Sequence, residues 1–428
     1  MKRRSVAGLV IATALAYAPP VPASPADLFG FGPRSQALAG SGAALASGSE
    51  ATYGNPALLS DARSRQVTLG WQAARFELRA DGPEGPGAVP ADAVQGTLIG
   101  LVLPVPFGGV LQDRVALGLG AFTPSDVVAR ARLLYPERAQ FPLLTDRAQT
   151  LNLAIGAGFD LGYGVRVGVG ALALAELVGT VVVRTDASGR VGTIVDDQLV
   201  ATYAPVVGAA YDFGDGFTAG GTFRGALEGE FDVLVQVFDL GSLVVPDLHI
   251  SGIAQYDPLQ LELGLGRRVG AWTFGVGATY KHWSAFDGWR RPTVVCPSDE
   301  PDCAALRETP VDFHDTIVPR VAVARSIELS TRAKASVRGG VFWEPTPAPA
   351  QNGLANYWDN DRVALTFGYG VALQEPLELR IDAVWQYHHL LVREHEKTAS
   401  ARAAGALPAR AETSGSVQLF AIAAEVGF

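Results

Sequence analysis

Cysteine, methionine and long hydrophobic runs are scarce in this sequence. Its 428 residues include 2 Cys and 1 Met but 49 Gly. Hydrophobic residues make up 48% of the chain, yet after residue 23 no apolar stretch reaches the ~20 residues that a membrane-spanning helix needs. High apolarity without such a helix is typical of a β-barrel, because only alternate residues of each strand face lipid.

Excess positive charge is lacking as well. Asp and Glu outnumber Lys and Arg by 43 to 34, and the sequence pI is about 5.3. This balance argues against a nucleic-acid partner, which would bind a basic surface.

Signs of catalysis are also missing. No Gly-x-Ser-x-Gly motif occurs, and of the six His only His388 and His389 are adjacent. On a strand these two side chains would face opposite ways, without evident serine and acid partners. We therefore expect no enzymatic activity and no cofactor.

The N-terminus predicts export. Residues 1–4 are basic, residues 6–16 are apolar, and residues 21–23 have the small-residue pattern of a signal-peptidase site. The apolar run is too short to cross a bilayer as a helix. We interpret residues 1–23 as a signal peptide of the secretory pathway.

The C-terminus predicts a barrel strand. Residues 421–428 alternate between apolar and small or polar side chains and end on Phe428. The final strand of a transmembrane barrel must pair with the first to leave no open edge in lipid. Phe428 also suggests a signal to the barrel assembly machinery.

Alternation with a period of two runs through most of the chain, for example in residues 149–161, 332–344 and 362–373. The connections alternate between tight turns and long polar loops, as in outer membrane barrels. Counting hairpins gives about 14 strands. The sequence therefore predicts an all-β fold, a transmembrane antiparallel β-barrel over residues 64–428, in the bacterial outer membrane and surrounded by its lipids. Aromatic residues near strand ends indicate either an interfacial girdle or ordinary packing.

Gly-x-Gly pairs recur along the strands, but none forms a nucleotide-binding loop at a strand-to-helix junction. All lie on the face opposite the apolar one, which is the lumen face. Either they keep the lumen clear for another segment, or they permit curvature of the wall. The pairs are Gly118/Gly120, Gly156/Gly158, Gly168/Gly170, Gly264/Gly266, Gly275/Gly277 and Gly368/Gly370.

Residues 24–63 form a segment that is rich in small residues and weakly charged, which suggests a plug. Its run Gly-x-x-x-x-Ala-x-Ala-Gly-x-Gly-x-Ala at 32–44, followed by Asn55-Pro56-Ala57, resembles the N-terminal hatch of the FadL-type long-chain fatty-acid transporters. That family also contains importers of aromatic hydrocarbons such as toluene. Residues 280–286 resemble a strand end of the same family.

The resemblance implies passive uptake of a hydrophobic small molecule. Substrate would be captured at an extracellular groove, pass to a site near the hatch, and leave sideways through the barrel wall. In the family the third strand carries a wall kink, and Gly118 and Gly120 lie there. A polar-solute porin or a structural adhesin barrel is the alternative, and we expect a monomer.

Large apolar residues at the hatch tip and on lumen parity are the candidates for substrate binding, although those of the hatch could instead anchor the plug. They are Leu28, Phe29, Phe31, Phe122, Leu172, Leu174 and Phe342.

The amphipathic connection 124–148 is the candidate for the extracellular groove. Leu133, Leu134, Tyr135 and Phe141 would line it. Contact with lipopolysaccharide is the alternative interpretation.

The two cysteines, Cys296 and Cys303, lie in one loop and predict a local disulfide. A metal site is less favoured, because no His or further Cys is close enough to complete it.

Overall fold

The structure, a computed structural model, describes residues 25–83, 85–125, 136–145, 151–185, 191–238, 248–289, 293–294, 311–374 and 378–428. The signal sequence, most of the groove candidates (Leu133, Leu134 and Tyr135) and both cysteines lie outside these ranges. The signal peptide, the groove and the Cys296–Cys303 disulfide therefore stay predictions.

Within these ranges the chain forms eighteen β-strands. They are β1 Gln66–Asp81, β2 Gly87–Val89, β3 Val94–Pro104, β4 Val115–Pro124, β5 Asn152–Gly162, β6 Val165–Thr185, β7 Val191–Gly214, β8 Phe217–Arg224, β9 Leu227–Phe238, β10 Leu248–Asp257, β11 Leu259–Val269, β12 Trp272–His282, β13 Thr293–Val294, β14 Thr316–Ser330, β15 Ala333–Glu344, β16 Arg362–Leu373, β17 Glu378–Glu396 and β18 Arg410–Gly427.

Fourteen of these strands close into one antiparallel barrel, as the sequence predicted. Their order around the wall is β1, β3 to β8, β11, β12 and β14 to β18. The last strand then pairs with the first, from Gln66 opposite Gly427 to Asp81 opposite Glu412. Beyond this ladder the backbones of Arg65 and Phe428 exchange two hydrogen bonds of 3.0 and 3.2 Å. The barrel therefore has no open edge at its seam.

The other four strands lie at the end of the barrel that carries the long loops. β9 and β10, which lie between β8 and β11 in the sequence, form a hairpin. β9 also runs parallel to the upper part of β6, Leu177 to Arg184. The two short strands, β2 and β13, pair with β1 and β10. This end is extracellular in the orientation that the loop lengths predict.

The opposite end has tight turns. Tyr163 and Gly164 join β5 to β6, and Asp215 and Gly216 join β7 to β8, all with positive φ. Two consecutive residues with positive φ form the type of two-residue hairpin turn whose twist matches that of the strands. Asp-Gly is a preferred pair for this turn.

The two faces of the wall follow the predicted parity. Leu69, Leu365 and Phe367 point outward and are more than half exposed. Leu98 and Val102 point into the lumen and are buried. Apolar side chains thus form the outer band that lipid requires.

The aromatic residues near strand ends divide into two groups. Trp272, Trp343 and Trp385 lie on the outer face, about 40% exposed, as a girdle needs. Trp283 and Trp358 are only 1% exposed and belong to clusters among the extracellular loops. For these two the packing interpretation is correct, because their loops fold back over the barrel mouth.

The hatch is a series of short helical turns inside the barrel. Pro33 and Pro56 each begin a turn, where the missing amide hydrogen costs nothing, and Asn55 caps the turn at Pro56 by accepting from the Ala57 amide. Among the described residues no helix is long and apolar enough to cross a membrane. The hatch turns are Pro25–Phe29, Pro33–Ala37, Gly42–Leu45, Gly48–Glu50, Ala51–Gly54 and Pro56–Asp61, and the turns outside it are Gly109–Leu111, Pro142–Thr145, Trp283–Ala285 and Ala399–Ala403.

Candidate functional site: the hatch and the cavity at its tip

The hatch lies directly on the lumen glycines. A Cβ added to any of eleven wall glycines would come within 3 Å of a hatch atom, a distance that real Cβ atoms essentially never show. Each of the six Gly-x-Gly pairs has at least one glycine in contact with the hatch. The space that the hatch occupies therefore explains these glycines, whether or not they also permit curvature of the wall. The eleven are Gly100, Gly118, Gly120, Gly158, Gly168, Gly208, Gly220, Gly266, Gly275, Gly340 and Gly368.

Asn55 connects two hatch turns to the wall. Its Nδ2 donates to the Ala43 carbonyl at 2.6 Å and to the Ala209 carbonyl of β7 at 3.0 Å. Its Oδ1 accepts from the Ala57 amide at 3.1 Å. The side chain is fully buried. Both the nitrogen and the oxygen of its amide are therefore hydrogen-bonded at a place where water could not substitute for these partners.

Arg34 joins the hatch to the closing strand. Its guanidinium is 2.8 Å from the Glu425 carboxylate of β18 and 3.4 Å from the Glu50 carboxylate of the hatch. Glu50 in turn accepts from the backbone amides of Arg34 and Ser35 at 3.0 and 2.6 Å. A buried charge is stable only when it is paired in this way.

A cavity of about 40 Å³ lies at the hatch tip. Four of the predicted substrate-binding residues line it: Leu28, Phe29, Phe31 and Phe342. This volume accommodates roughly three water molecules, which is far less than a hydrocarbon needs. The structure is therefore a closed state at this point of the lumen.

The rest of the cavity wall carries paired charges that the sequence analysis did not identify. Lys281 of β12 lies 2.8 Å from the Asp27 carboxylate of the hatch and 2.7 Å from Glu344 of β15. Glu344 is also 2.5 Å from Arg362 of β16. Asp27 thus ties the first helical turn of the hatch to the wall.

A second ion pair completes this wall. Arg224 of β8 lies 2.7 Å from Glu262 of β11 and stacks over the Tyr53 ring of the hatch at 4.8 Å. The signal that could have revealed these residues is their lumen parity. Glu262, for instance, lies between Leu261 and Leu263, which face lipid.

The other predicted lumen residues lie on a neighbouring part of the wall. Phe122, Leu172 and Leu174 are buried and share one apolar cluster with Phe31 of the hatch. They do not line the cavity. The sequence therefore placed all these side chains in the lumen but not around one pocket.

The barrel mouth is covered by two loops. Phe141 is 1% exposed and packs edge-to-face on Trp358 at 6.0 Å. The backbones of the two loops also bond, from Asn356 to Pro136 and from Trp358 to Gln140. Phe141 therefore lies beneath a cover and not on an open groove.

Lys397 supports this cover from a third loop. Its Nζ donates to the Ala355 carbonyl at 2.6 Å. Burial lowers the pKa of Lys397 to about 8, because a buried ammonium loses its hydration.

The predicted wall kink is not visible as a break. In the described part of the wall, β4 pairs without a register shift with β3 and with β5 on both sides of Gly118 and Gly120. The space beside these glycines is occupied by Leu59 and Phe31 of the hatch. The wall is therefore closed here while the hatch is docked.

Comparison with known proteins agrees with this architecture. The structure is similar to a FadL homologue of Pseudomonas aeruginosa, with a TM-score of 0.63 at 15% identity over 96% of this chain and 100% of that one. It is also similar to the toluene transporter TodX of Pseudomonas putida, with a TM-score of 0.54 at 16% identity over 94% of this chain and 99% of that one. For the monoaromatic hydrocarbon channel CymD the TM-score is 0.56 at 17% identity, covering 94% and 98%. At these identities the likeness shows the fold.

No curated protein matches the sequence. The family described as "Outer membrane protein transport protein (OMPP1/FadL/TodX)" matches residues 28–428. This match covers the hatch from Leu28 onward and the whole barrel, and it places the protein in the bacterial outer membrane. The chain therefore belongs to the FadL/TodX family of outer membrane transport proteins.

Proposed function

We propose that this protein is a channel for passive uptake of hydrophobic small molecules, such as long-chain fatty acids or hydrocarbons, across the outer membrane. The observation that carries the proposal is the apolar hatch tip, whose side chains line a cavity inside the plugged barrel. Leu28, Phe29, Phe31 and Phe342 would bind the substrate there. Each CH₂ group buried in such a pocket contributes ~0.8 kcal/mol, whereas a water-filled pore would offer a hydrocarbon nothing.

Substrate entry requires the hatch tip to move. The glycine-lined wall suits this movement, because the hatch lies against backbone at many points of the wall, and the polar contacts that hold it there, such as those of Asp27, Arg34 and Asn55, are reversible. The ion pair between Asp27 and Lys281 would open first at the tip, and the bond from Asn55 to β7 would break when the rest of the hatch follows.

Release would occur sideways into the membrane. The docked hatch fills the lumen side of the wall at Gly118 and Gly120. Once Phe31 and Leu59 withdraw, Gly118 and Gly120 carry no side chain on the lumen side, and Gly156 and Gly100 lie opposite them on the neighbouring strands. A lateral exit there would deliver an apolar molecule to lipid without passage through water.

The proposal has further parts. Substrate would be captured at residues 124–148, and residues 1–23 would be removed on export. The hatch would span residues 24–63 and the barrel residues 64–428, Phe428 would direct assembly, and the protein would be a monomer. The alternative, a polar-solute porin, is less favoured because the hatch occupies the lumen that polar solutes would need.

Uptake by cells tests the proposal. A strain that lacks the gene should take up labelled oleate or toluene more slowly than the parent, and the intact gene should restore the rate. A variant with Phe29→Ser and Phe31→Ser should restore it only partly, because its hatch tip is no longer apolar. Uptake of a labelled sugar serves as the control.

Two results would contradict the proposal. One is unchanged uptake of both hydrophobic compounds after deletion of the gene. The other is a high ion conductance of the purified protein in planar bilayers with the hatch in place, which would indicate a porin.

A further inference from the structure

Asn152, the first residue of β5, is a fully buried amide without a partner. In the part of the chain that the structure describes, neither its Nδ2 nor its Oδ1 makes a hydrogen bond. Its exposed fraction is 0%. A buried amide in this state is costly and is uncommon in folded proteins, so it calls for an explanation.

The side chain lies on the lumen face. Gly156 and Gly158, which have the same parity on β5, contact the hatch. Ile155, which has the opposite parity, is 46% exposed towards lipid. Asn152 is therefore aimed into the barrel at the extracellular end of this strand.

Its neighbours on the wall are apolar. Asn152 is opposite Phe122 of β4 and opposite Leu174 of β6. The Phe122 ring turns the other way, over Gly96 of β3. Both neighbours belong to the cluster that includes Phe31 of the hatch tip and Leu144 of the extracellular cover. The amide thus lies between the mouth and the hatch tip.

A second unpartnered group follows in the same row. Leu174 is opposite Thr202 of β7, and the Thr202 hydroxyl oxygen is also buried without a hydrogen bond. The two polar groups are two strand spacings apart, about 10 Å. An apolar wall with isolated hydrogen-bonding groups is the usual form of a small-molecule site.

We propose that Asn152 is a binding site for an uncharged hydroxyl group on a hydrophobic substrate, an aliphatic alcohol or a phenol, with Thr202 as a second, weaker position for the same hydroxyl along the wall. This inference rests on the proposed uptake function. A hydroxyl donates and accepts, and so complements both ends of the amide. A hydrocarbon would leave the amide unpaired. A carboxylate would bring a charge to neutral groups in an apolar setting, which is unfavourable.

Binding of three ten-carbon compounds tests the proposal. The purified protein is placed in lipid nanodiscs, because detergents would compete, and binding of 1-decanol, decane and decanoate at pH 8 is compared after subtraction of empty nanodiscs. Wild type should bind 1-decanol about tenfold more tightly than decane, the effect of one hydrogen bond to a buried partner. Asn152→Leu should reduce this preference to less than twofold and leave decane binding unchanged, and Thr202→Val should reduce it by a smaller factor.

Thr222→Val is the matched control, since the Thr222 hydroxyl also faces the lumen but already donates to the Gly54 carbonyl at 2.7 Å. It should lower the unfolding temperature and keep the preference for the alcohol. Asn152→Leu should unfold at the same temperature as wild type or higher, because no hydrogen bond is lost.

Three results would overturn the proposal: equal binding of 1-decanol and decane by wild type, tighter binding of decanoate, or a marked destabilisation by Asn152→Leu, which would indicate a structural role. Equal binding would leave the uptake function intact. Failure to bind any of the three compounds would count against both proposals.

Discussion

Replacement of Gly220 by alanine should release the hatch from the wall. The new Cβ would overlap the Ala43 carbonyl oxygen, far inside the 3.0 Å below which real Cβ atoms essentially never approach. A backbone oxygen cannot rotate away as a side chain can. The same oxygen accepts the 2.6 Å bond from Asn55, so its displacement also weakens that contact.

The expected cost lies at the upper end of the range for overpacking, about 3 kcal/mol. Since 1.4 kcal/mol corresponds to a factor of ten, the ratio of docked to undocked hatch should fall ~100-fold. The barrel itself should be unaffected, because alanine suits a strand better than glycine does.

Hydrogen exchange of the protein in nanodiscs measures this ratio. In Gly220→Ala, amides of residues 25–61 should exchange up to ~100-fold faster, while strand amides keep their protection. Gly221→Ala is the control on the opposite face of the same strand. Its Cβ would come closest to the flexible Leu263 side chain, at 3.3 Å, and would lie at an ordinary contact distance of 3.8 Å from the Glu262 carbonyl oxygen, so exchange should be that of wild type.

Equal exchange of the hatch in Gly220→Ala and wild type would refute the reasoning. It would mean that the glycines serve wall geometry and not hatch docking.

Two further predictions concern charged residues. Arg34→Met leaves Glu425 and Glu50 buried with fewer partners and should destabilise hatch docking by about 3–5 kcal/mol. Protease added from the periplasmic side should therefore cleave the hatch rapidly. Arg380→Met is its control, since this partly exposed side chain reaches Glu425 only at 4.0 Å, and equal sensitivity of the two variants would contradict the assignment. Because burial lowers the pKa of Lys397 to about 8, the unfolded chain binds more protons above that pH and stability should rise with pH from about 8 towards 10. Thermal unfolding between pH 7.5 and 10 should show this rise in wild type and a flatter profile in Lys397→Met; identical profiles would exclude the effect.

The parity of the sequence predicted the wall well. Alternating strands and turns of two lengths depend on local chemistry, and the lumen glycines follow the same alternation. For this reason the alternation alone assigns Gly118, Gly156 and Gly368 to the lumen.

Contacts between distant segments could not be predicted in this way. Lys281 and Asp27 are 254 positions apart, and nothing local indicates that one neutralises the other. Trp283 and Trp358 stand near strand ends, as girdle residues do, but whether such a ring meets lipid depends on how its loop folds. The pairing of β9 with β6 is likewise a contact between segments that are distant in the sequence.

A reversible tether between hatch and wall tests the central claim, that substrate passes only when the hatch moves. Ala44 and Gly264 suit a disulfide, because a Cβ on Gly264 would lie 3.5 Å from the Ala44 Cβ, within the usual ~3.5–4.5 Å range. In a background with Cys296→Ser and Cys303→Ser, the double variant Ala44→Cys and Gly264→Cys is oxidised and uptake of labelled oleate or toluene is measured. Uptake should stop, return on reduction, and proceed normally in either single-cysteine variant; uptake at the wild-type rate with the disulfide intact would contradict the account.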